Sequence, residues 1–214
     1  HLDKEMWKGL AGYSVSGHKI HGPKGIGLLI YDSRLALNPQ MHGGKQQFGV
    51  RSGTLPLPLI LGLETAIKNA VARTEQTQKH TIALSQHLVQ GLKQLENQIP
   101  ELNLRFNSNV KEGVKFQSPG IVNFSFPPVE GEVLLHHLEV KDIFVGLGSA
   151  CSAQSKKPSI ILMGIGLNEE QARCSLRVSF SRNNTIVEID QFLEAFSEAY
   201  QILFPTFFKK AKNR

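Results

Sequence analysis

The 214 residues are 41% hydrophobic and 20% charged, enough for one large or two small domains with a true core. The formal charge of +6 would suit nucleic acid, but much of the excess sits in the tail Lys209-Lys-Ala-Lys-Asn-Arg, and no aromatic and basic residues interleave to build a stacking platform, so a nucleic-acid role is set aside. No apolar run reaches the roughly 18 residues of a membrane span, and the start His1-Leu-Asp-Lys-Glu-Met-Trp-Lys has no secretory core. Cys151 and Cys174 have no Cys-x-x-Cys neighbour, so neither a zinc site nor a disulfide framework is supported. The expectation is a cytoplasmic protein with no membrane partner and no metal.

In chain order, residues 11–16 read as a short strand that ends at a lysine and a run of glycines, and 25–31 as a second strand closed by Asp32-Ser33. Residues 38–54, rich in Gly and Gln, read as a loop. Pro56 and Pro58 open a helix expected to run, straight or kinked, to about Gln98, with Leu84, Leu88, Leu92 and Leu95 at helical spacing and Pro100 closing it. Strands are then expected at 102–106, 121–126, 143–145 and 176–180. Helices are expected at 130–138, 158–163 and 187–203. Such a mixture predicts an α/β or α+β arrangement. The natural break falls in or after the long helix, giving expected domains 1–98 and 99–214.

Lys19 is the first residue with chemical promise. It follows a strand, has His18, His21 and Lys24 close by, and lies among Gly17, Gly22, Gly25 and Gly27. Glycines let a backbone approach an anion and expose its N–H groups, and a lysine becomes a nucleophile when it is desolvated or set beside another cation. Alone, the motif reads more readily as a surface lysine in a glycine-rich turn. Cys151 lies among Ser149, Ser152 and Ser155 with Lys156 and Lys157 following, a setting that can raise the thiolate fraction; the plain alternative is an inert loop cysteine. Cys174, between Ala172 and Leu176, reads as packing. Arg177 and Arg182 flank Val178-Ser-Phe-Ser, where a guanidinium can hold a carboxylate, and Arg51-Ser-Gly-Thr54 is a further anion candidate before a helix. Each has the alternative of ordinary surface charge. The histidines at 42, 80, 87, 136 and 137 show no metal-ligand spacing.

Together these segments resemble the pyridoxal-phosphate-dependent cysteine desulfurases of the class V aminotransferase group. Ser16-Gly-His-Lys-Ile-His-Gly-Pro-Lys-Gly looks like the cofactor-lysine motif and Arg51-Ser-Gly-Thr-Leu-Pro like the segment that reaches a neighbouring subunit's cofactor. Gly148-Ser-Ala-Cys-Ser looks like the catalytic-cysteine loop, and Arg177-Val-Ser-Phe-Ser-Arg-Asn-Asn-Thr like the substrate-carboxylate strand. The resemblance implies an α/β, fold-type-I PLP-dependent transferase: 1–98 would be the end of the large cofactor-binding domain and 99–214 the small domain with the cysteine loop. It implies Lys19 as the cofactor-bonded lysine and later acid and base, Ser16 and His18 on the cofactor phosphate, and Thr54 on the phosphate of the partner in a homodimer. Cys151 would take sulfur from L-cysteine, releasing L-alanine and forming a persulfide, and Arg182 would grip the substrate carboxylate. The sulfur would pass to an acceptor or scaffold protein, as in iron–sulfur cluster assembly.

The family also draws on an earlier half of the large domain: a histidine stacked on the cofactor ring, an aspartate and glutamine at its polar edge, and a phosphate-binding threonine. His1 to Leu10 holds no counterpart. The chain therefore resembles the C-terminal half of such an enzyme, expected to be inactive alone. Two other readings stand beside it: a module that only binds partners or carries a persulfide on Cys151, and a selenocysteine lyase.

Overall fold

The computed structural model describes residues 8–108, 118–147 and 158–212. The chain divides into two compact units, His1–Glu75 and Gln76–Arg214, earlier than the boundary at residue 98 expected from the sequence. No helix among the described residues is long and apolar enough to cross a membrane.

In the first unit, β1 (Gly12–Ser16) and β2 (Gly27–Tyr31) pair antiparallel, Gly12 opposite Tyr31 and Ser16 opposite Gly27. Glycine is required at the closing end: a Cβ on Gly27 would stand 2.5 Å from the Val15 carbonyl oxygen. A 3-10 turn (Gly17–Ile20) leaves β1 and ends at His21, whose φ of 62° is left-handed. Residues 38–56 form the expected loop, with one 3-10 turn at Gln47–Gly49. Its interior is pinned by buried Ser52, whose hydroxyl donates to the carbonyls of Met41 (3.1 Å) and Gly44 (2.9 Å). Helix α1 (Leu57–Ala72) follows, with a proline in its first turn, where no intrahelical N–H is needed.

The single helix expected from Pro56 to Gln98 is two. Arg73 leaves the helical region at φ −109°, ψ 7°, and the Thr74 hydroxyl donates to the Ala70 carbonyl at 2.8 Å, offering the last turn of α1 a side-chain partner. Helix α2 (Thr74–Gln98) then runs on into the second unit.

That unit holds a three-stranded antiparallel sheet in the order β3 (Arg105–Phe106), β4 (Ile121–Ser125), β5 (Ser175–Ser179). Asn123 lies opposite Arg177 and Ser125 opposite both Arg105 and Ser175. Strand alternation sends Val122 and Phe124 of β4 and Leu176 and Val178 of β5 to one face. There they join Leu84, Leu88 and Leu92 of α2, Leu134 and Leu138 of α3 (Gly131–Glu139), and Phe192, Phe196 and Tyr200 of α6 (Ile186–Lys212). Phe196 meets Phe126 and Phe124 edge-on, with ring centroids 5.2 and 5.6 Å apart. The opposite face is mostly polar: Asn123 and Ser125 on β4, with Ile121 at its start, and Ser175, Arg177 and Ser179 on β5.

Five further elements differ from expectation. The strand expected over 102–106 shrinks to Arg105–Phe106, because the Glu96 carboxylate takes the Leu104 N–H at 2.7 Å and a turn bonds Leu102 to Ile99. Residues 143–145 form no strand; Gly146 alone makes a bridge, to Arg177. Helix α4 (Ile160–Gly164) starts at the Ser159 cap, and a further helix, α5 (Glu169–Arg173), appears where none was expected. The last helix runs on past Leu203 through Pro205, its rings Tyr200, Phe204 and Phe208 in succession at 5.8 and 5.2 Å.

Candidate active site

Lys19 and His18 stand exposed on the 3-10 turn, and Ser16, also exposed, is the residue at its entrance, whose hydroxyl caps no backbone N–H. The turn is braced rather than loose. Gly17 N–H donates to Ile26 O and Gly22 N–H to Gly17 O, both at 2.9 Å. Its back lies against α1 with no room for side chains: a Cβ on Gly62 would meet the Pro23 ring at 2.5 Å, and one on Gly22 the Ala66 Cβ at 3.1 Å. The glycines of the motif thus fix the turn to a helix while an amine, an imidazole and a hydroxyl face outward within four residues.

Thr54 is exposed at the end of the loop, next to Gly53 at φ +108°. The Arg51 guanidinium donates to the Ser52 carbonyl, and Gly53 N–H donates to Gln46 Oε1 at 3.1 Å, so the Arg51–Thr54 segment is ordered by its own bonds.

In the second unit, Cys151 and the rest of the Gly148-Ser-Ala-Cys-Ser motif lie outside the described residues. Its sequence neighbour Gly146 is bonded to Arg177 in both directions, N–H to carbonyl, at 2.9 and 2.7 Å. Arg177 is half-buried in the middle of β5. Arg182 is half-buried in the turn after β5, a turn shaped by Asn184, whose side-chain oxygen accepts the Ser181 N–H at 2.8 Å. The Asn184 carbonyl in turn accepts the His80 ring at 2.8 Å, tying that turn to α2. Cys174 is buried, and burial, reinforced by Glu170 and Glu130, pushes its thiol up to about 12. It is a packing residue, as its sequence setting suggested. Among the described residues no three His, Cys, Asp or Glu side chains gather as metal ligands.

Sequence reasoning passed over Gly146 and Asn123, which flank Arg177 in the sheet, and Asn107, which is bonded to Asn123. The available signal was an asparagine between the apolar Val122 and Phe124. The donor set of the first unit suits the two ends of pyridoxal phosphate: an exposed amine for the aldehyde, and an exposed hydroxyl and imidazole for the phosphate.

A class V aminotransferase family model matches residues 10–192. The cysteine desulfurase IscS of Vibrio vulnificus is 41% identical over 192 residues, covering 89% of this chain and 45% of that protein. A solved NifS-like protein superposes with a TM-score of 0.77 at 29% identity, covering 91% of this chain and 47% of the other. The NifS-like protein of Rickettsia africae gives 0.75 at 30% identity, with 90% and 48% covered. This chain thus spans about half the length of the proteins it matches. The expected α/β, fold-type-I architecture is borne out by these likenesses. With the family model spanning most of its length, the chain belongs to the class V aminotransferases, a PLP-dependent family.

Proposed function

We propose that this chain is the lysine- and thiol-bearing part of a cysteine desulfurase, working on L-cysteine within a complete enzyme. The observation that carries the reading is Lys19, displayed on a turn locked to α1 in a chain 41% identical to an enzyme of that name. In this reading 1–98 is the end of the large domain and 99–214 the small domain, and the working form is a cytoplasmic homodimer to which Thr54 contributes across the interface.

Pyridoxal phosphate, when bound, supplies the electron sink for chemistry at the amino acid's carbons. Lys19 would hold it through its ε-amine, and the same amine, when free, would move protons at the substrate carbons. Ser16 and His18 hold the phosphate. Covering the turn with cofactor and protein excludes water from an amine that the described residues leave exposed. The Cys151 thiolate attacks the substrate sulfur: an S–S bond forms, the carbon–sulfur bond breaks, its electron pair stays with the carbon skeleton, and that carbon takes a proton to leave as alanine. The persulfide then goes to an acceptor protein, iron–sulfur cluster assembly being the expected destination.

Two arginines compete for the substrate carboxylate. Arg182 is the choice that the family resemblance implies. Arg177 has the geometric support, because it is bonded to Gly146, and Cys151 lies five residues further along, a tether of at most about 18 Å. Each single alanine variant identifies its arginine as the grip if KM for cysteine rises with little change in kcat.

The reading is tested with Cys151→Ser in a complete enzyme carrying this chain. Alanine release from cysteine should disappear while the visible absorbance of the bound cofactor persists. Release at the unsubstituted rate would end the assignment.

A further inference from the structure

Arg177 stands on the polar face of β5 between two unlike neighbours. On the β4 side, directly across the ladder, is Asn123, which is only 8% exposed. Cross-strand partners of this kind have Cβ atoms about 5 Å apart, so the Asn123 amide fills the space over β4. It is held there from three directions. Its N–H donates to Ser108 Oγ at 2.8 Å, its carbonyl accepts the Asn107 N–H at 2.9 Å, and its side-chain oxygen accepts Asn107 Nδ2 at 2.7 Å. Asn107 Nδ2 also donates to Ser125 Oγ at 2.8 Å, which anchors it to the same strand.

On the other side is Gly146. The Arg177 guanidinium lies over it: a Cβ built on Gly146 would stand 2.9 Å from Nη2, 3.3 Å from Cζ and 3.4 Å from Nε. Three atoms of one planar group meeting the same point means that the plane, and not merely its tip, rests there. Gly146 is not among the residues at positive φ. Its backbone is open to any amino acid, so what the glycine provides is room.

We propose that Gly146 is a positioning residue for Arg177. Its bare backbone is the floor on which the guanidinium lies, and Asn123, locked by Asn107, is the wall that keeps the head from leaning back over β4. A guanidinium recognises a carboxylate through a flat, two-pronged set of donors, so its orientation decides whether one bond or two can form. The consequence for catalysis rests on Arg177, of the two arginines above, being the grip on the amino acid's carboxylate; the floor itself does not.

The effect should be graded by volume at position 146. Alanine asks the head to shift by a few tenths of an ångström; valine occupies the site of the guanidinium. In a complete enzyme, Gly146→Ala should raise KM for cysteine about 3-fold and Gly146→Val at least about 10-fold, with kcat little changed. In an Arg177→Ala background, Gly146→Val should add nothing, because its target is gone. An equal rise with and without Arg177 overturns the proposal, as does an unchanged KM in Gly146→Val where Arg177→Ala itself raises KM; where Arg177→Ala leaves KM unchanged, it is the reading of Arg177 as the grip that fails. A second readout needs no turnover. The Arg177 Nε–Hε resonance, identified by its loss in Arg177→Lys, should move in Gly146→Ala, and an unmoved resonance also overturns the floor. If the unsubstituted enzyme releases no alanine, the functional reading fails, and the resonance still decides the geometry.

Discussion

In the second unit twenty buried apolar residues make one connected core, whereas in the first the described residues bury only Leu63 and Ala66 among their hydrophobic side chains. Leu29 and Ile30 of β2 stay exposed, and Phe48 on the loop is 96% exposed. The first unit is held instead by close backbone approach: Gly17, Gly22, Gly27 and Gly62 each sit where a Cβ would strike a neighbour. The two units therefore answer differently to mutation. A packed core loses stability with lost volume; a glycine-built turn loses it with added volume. The difference also maps onto chemistry. The amine, imidazole and hydroxyl sit on the thinly packed unit, while Arg177 sits on a sheet backed by aromatic rings.

The largest expected effect tests that contrast directly. Phe196→Ala removes a ring that meets Phe124, Phe126, Phe192 and Tyr200 and should cost about 3–5 kcal/mol. Denaturant unfolding followed by circular dichroism would show it as a lower midpoint. Leu63→Ala should instead release the Lys19 turn locally, seen as faster proteolysis within residues 8–75 with the main transition little moved. If both variants lower one transition equally, the two units unfold together and the contrast is wrong.

Legibility followed the range of the interactions. β1, β2 and α6 could be placed from local pattern, because turn glycines and helical spacing are carried by neighbours in sequence. The break at Arg73 could not, since neither Gly nor Pro marks it and Thr74 acts by a side-chain bond to Ala70. The shortening of β3 depends on Glu96 reaching Leu104, and α5 on a reciprocal pair between Asn168 and Gln171. That last signal was in the sequence as Asn168-Glu-Glu-Gln, a capping box with Asn in place of Ser or Thr. Of the candidate site, Lys19, Ser16 and His18 were readable because one turn holds them. The surroundings of Arg177 were not, because Asn123 and Gly146 meet it only through sheet pairing.

A middle-sized effect separates the units by pH. Cys174 and Tyr200 both lie in the second unit's core, and burial raises both, Cys174 to about 12 and Tyr200 well above its ordinary 10.0. In the unfolded chain the thiol loses its proton near 9.0, while the folded chain keeps it. Above that pH the unfolded state binds fewer protons, so stability is complete below about pH 9 and falls as pH rises toward 12. Each group contributes a slope of at most about 1.4 kcal/mol per pH unit. Cys174→Ala should flatten the stability profile between pH 9 and 11, measured by urea midpoints. A profile as steep as that of the unsubstituted protein would show that the thiol is not what titrates.

The smallest effect belongs to the first unit and has the opposite sign. His21 closes the Lys19 turn at φ 62°, ψ 23°, a left-handed conformation that costs a residue with a Cβ roughly 1–2 kcal/mol. Glycine adopts it freely but gives up roughly 0.5–1 kcal/mol through the greater freedom of its unfolded chain. The two terms leave His21→Gly between neutral and stabilising by about 1.5 kcal/mol, and hydrogen exchange at the Gly22 amide, bonded to Gly17, should slow by about tenfold at most. Faster exchange would mean that the imidazole, and not the backbone, holds the turn closed. The strain at His21 would then be offset by a side-chain contact, and the first unit would depend on side-chain packing as the second does.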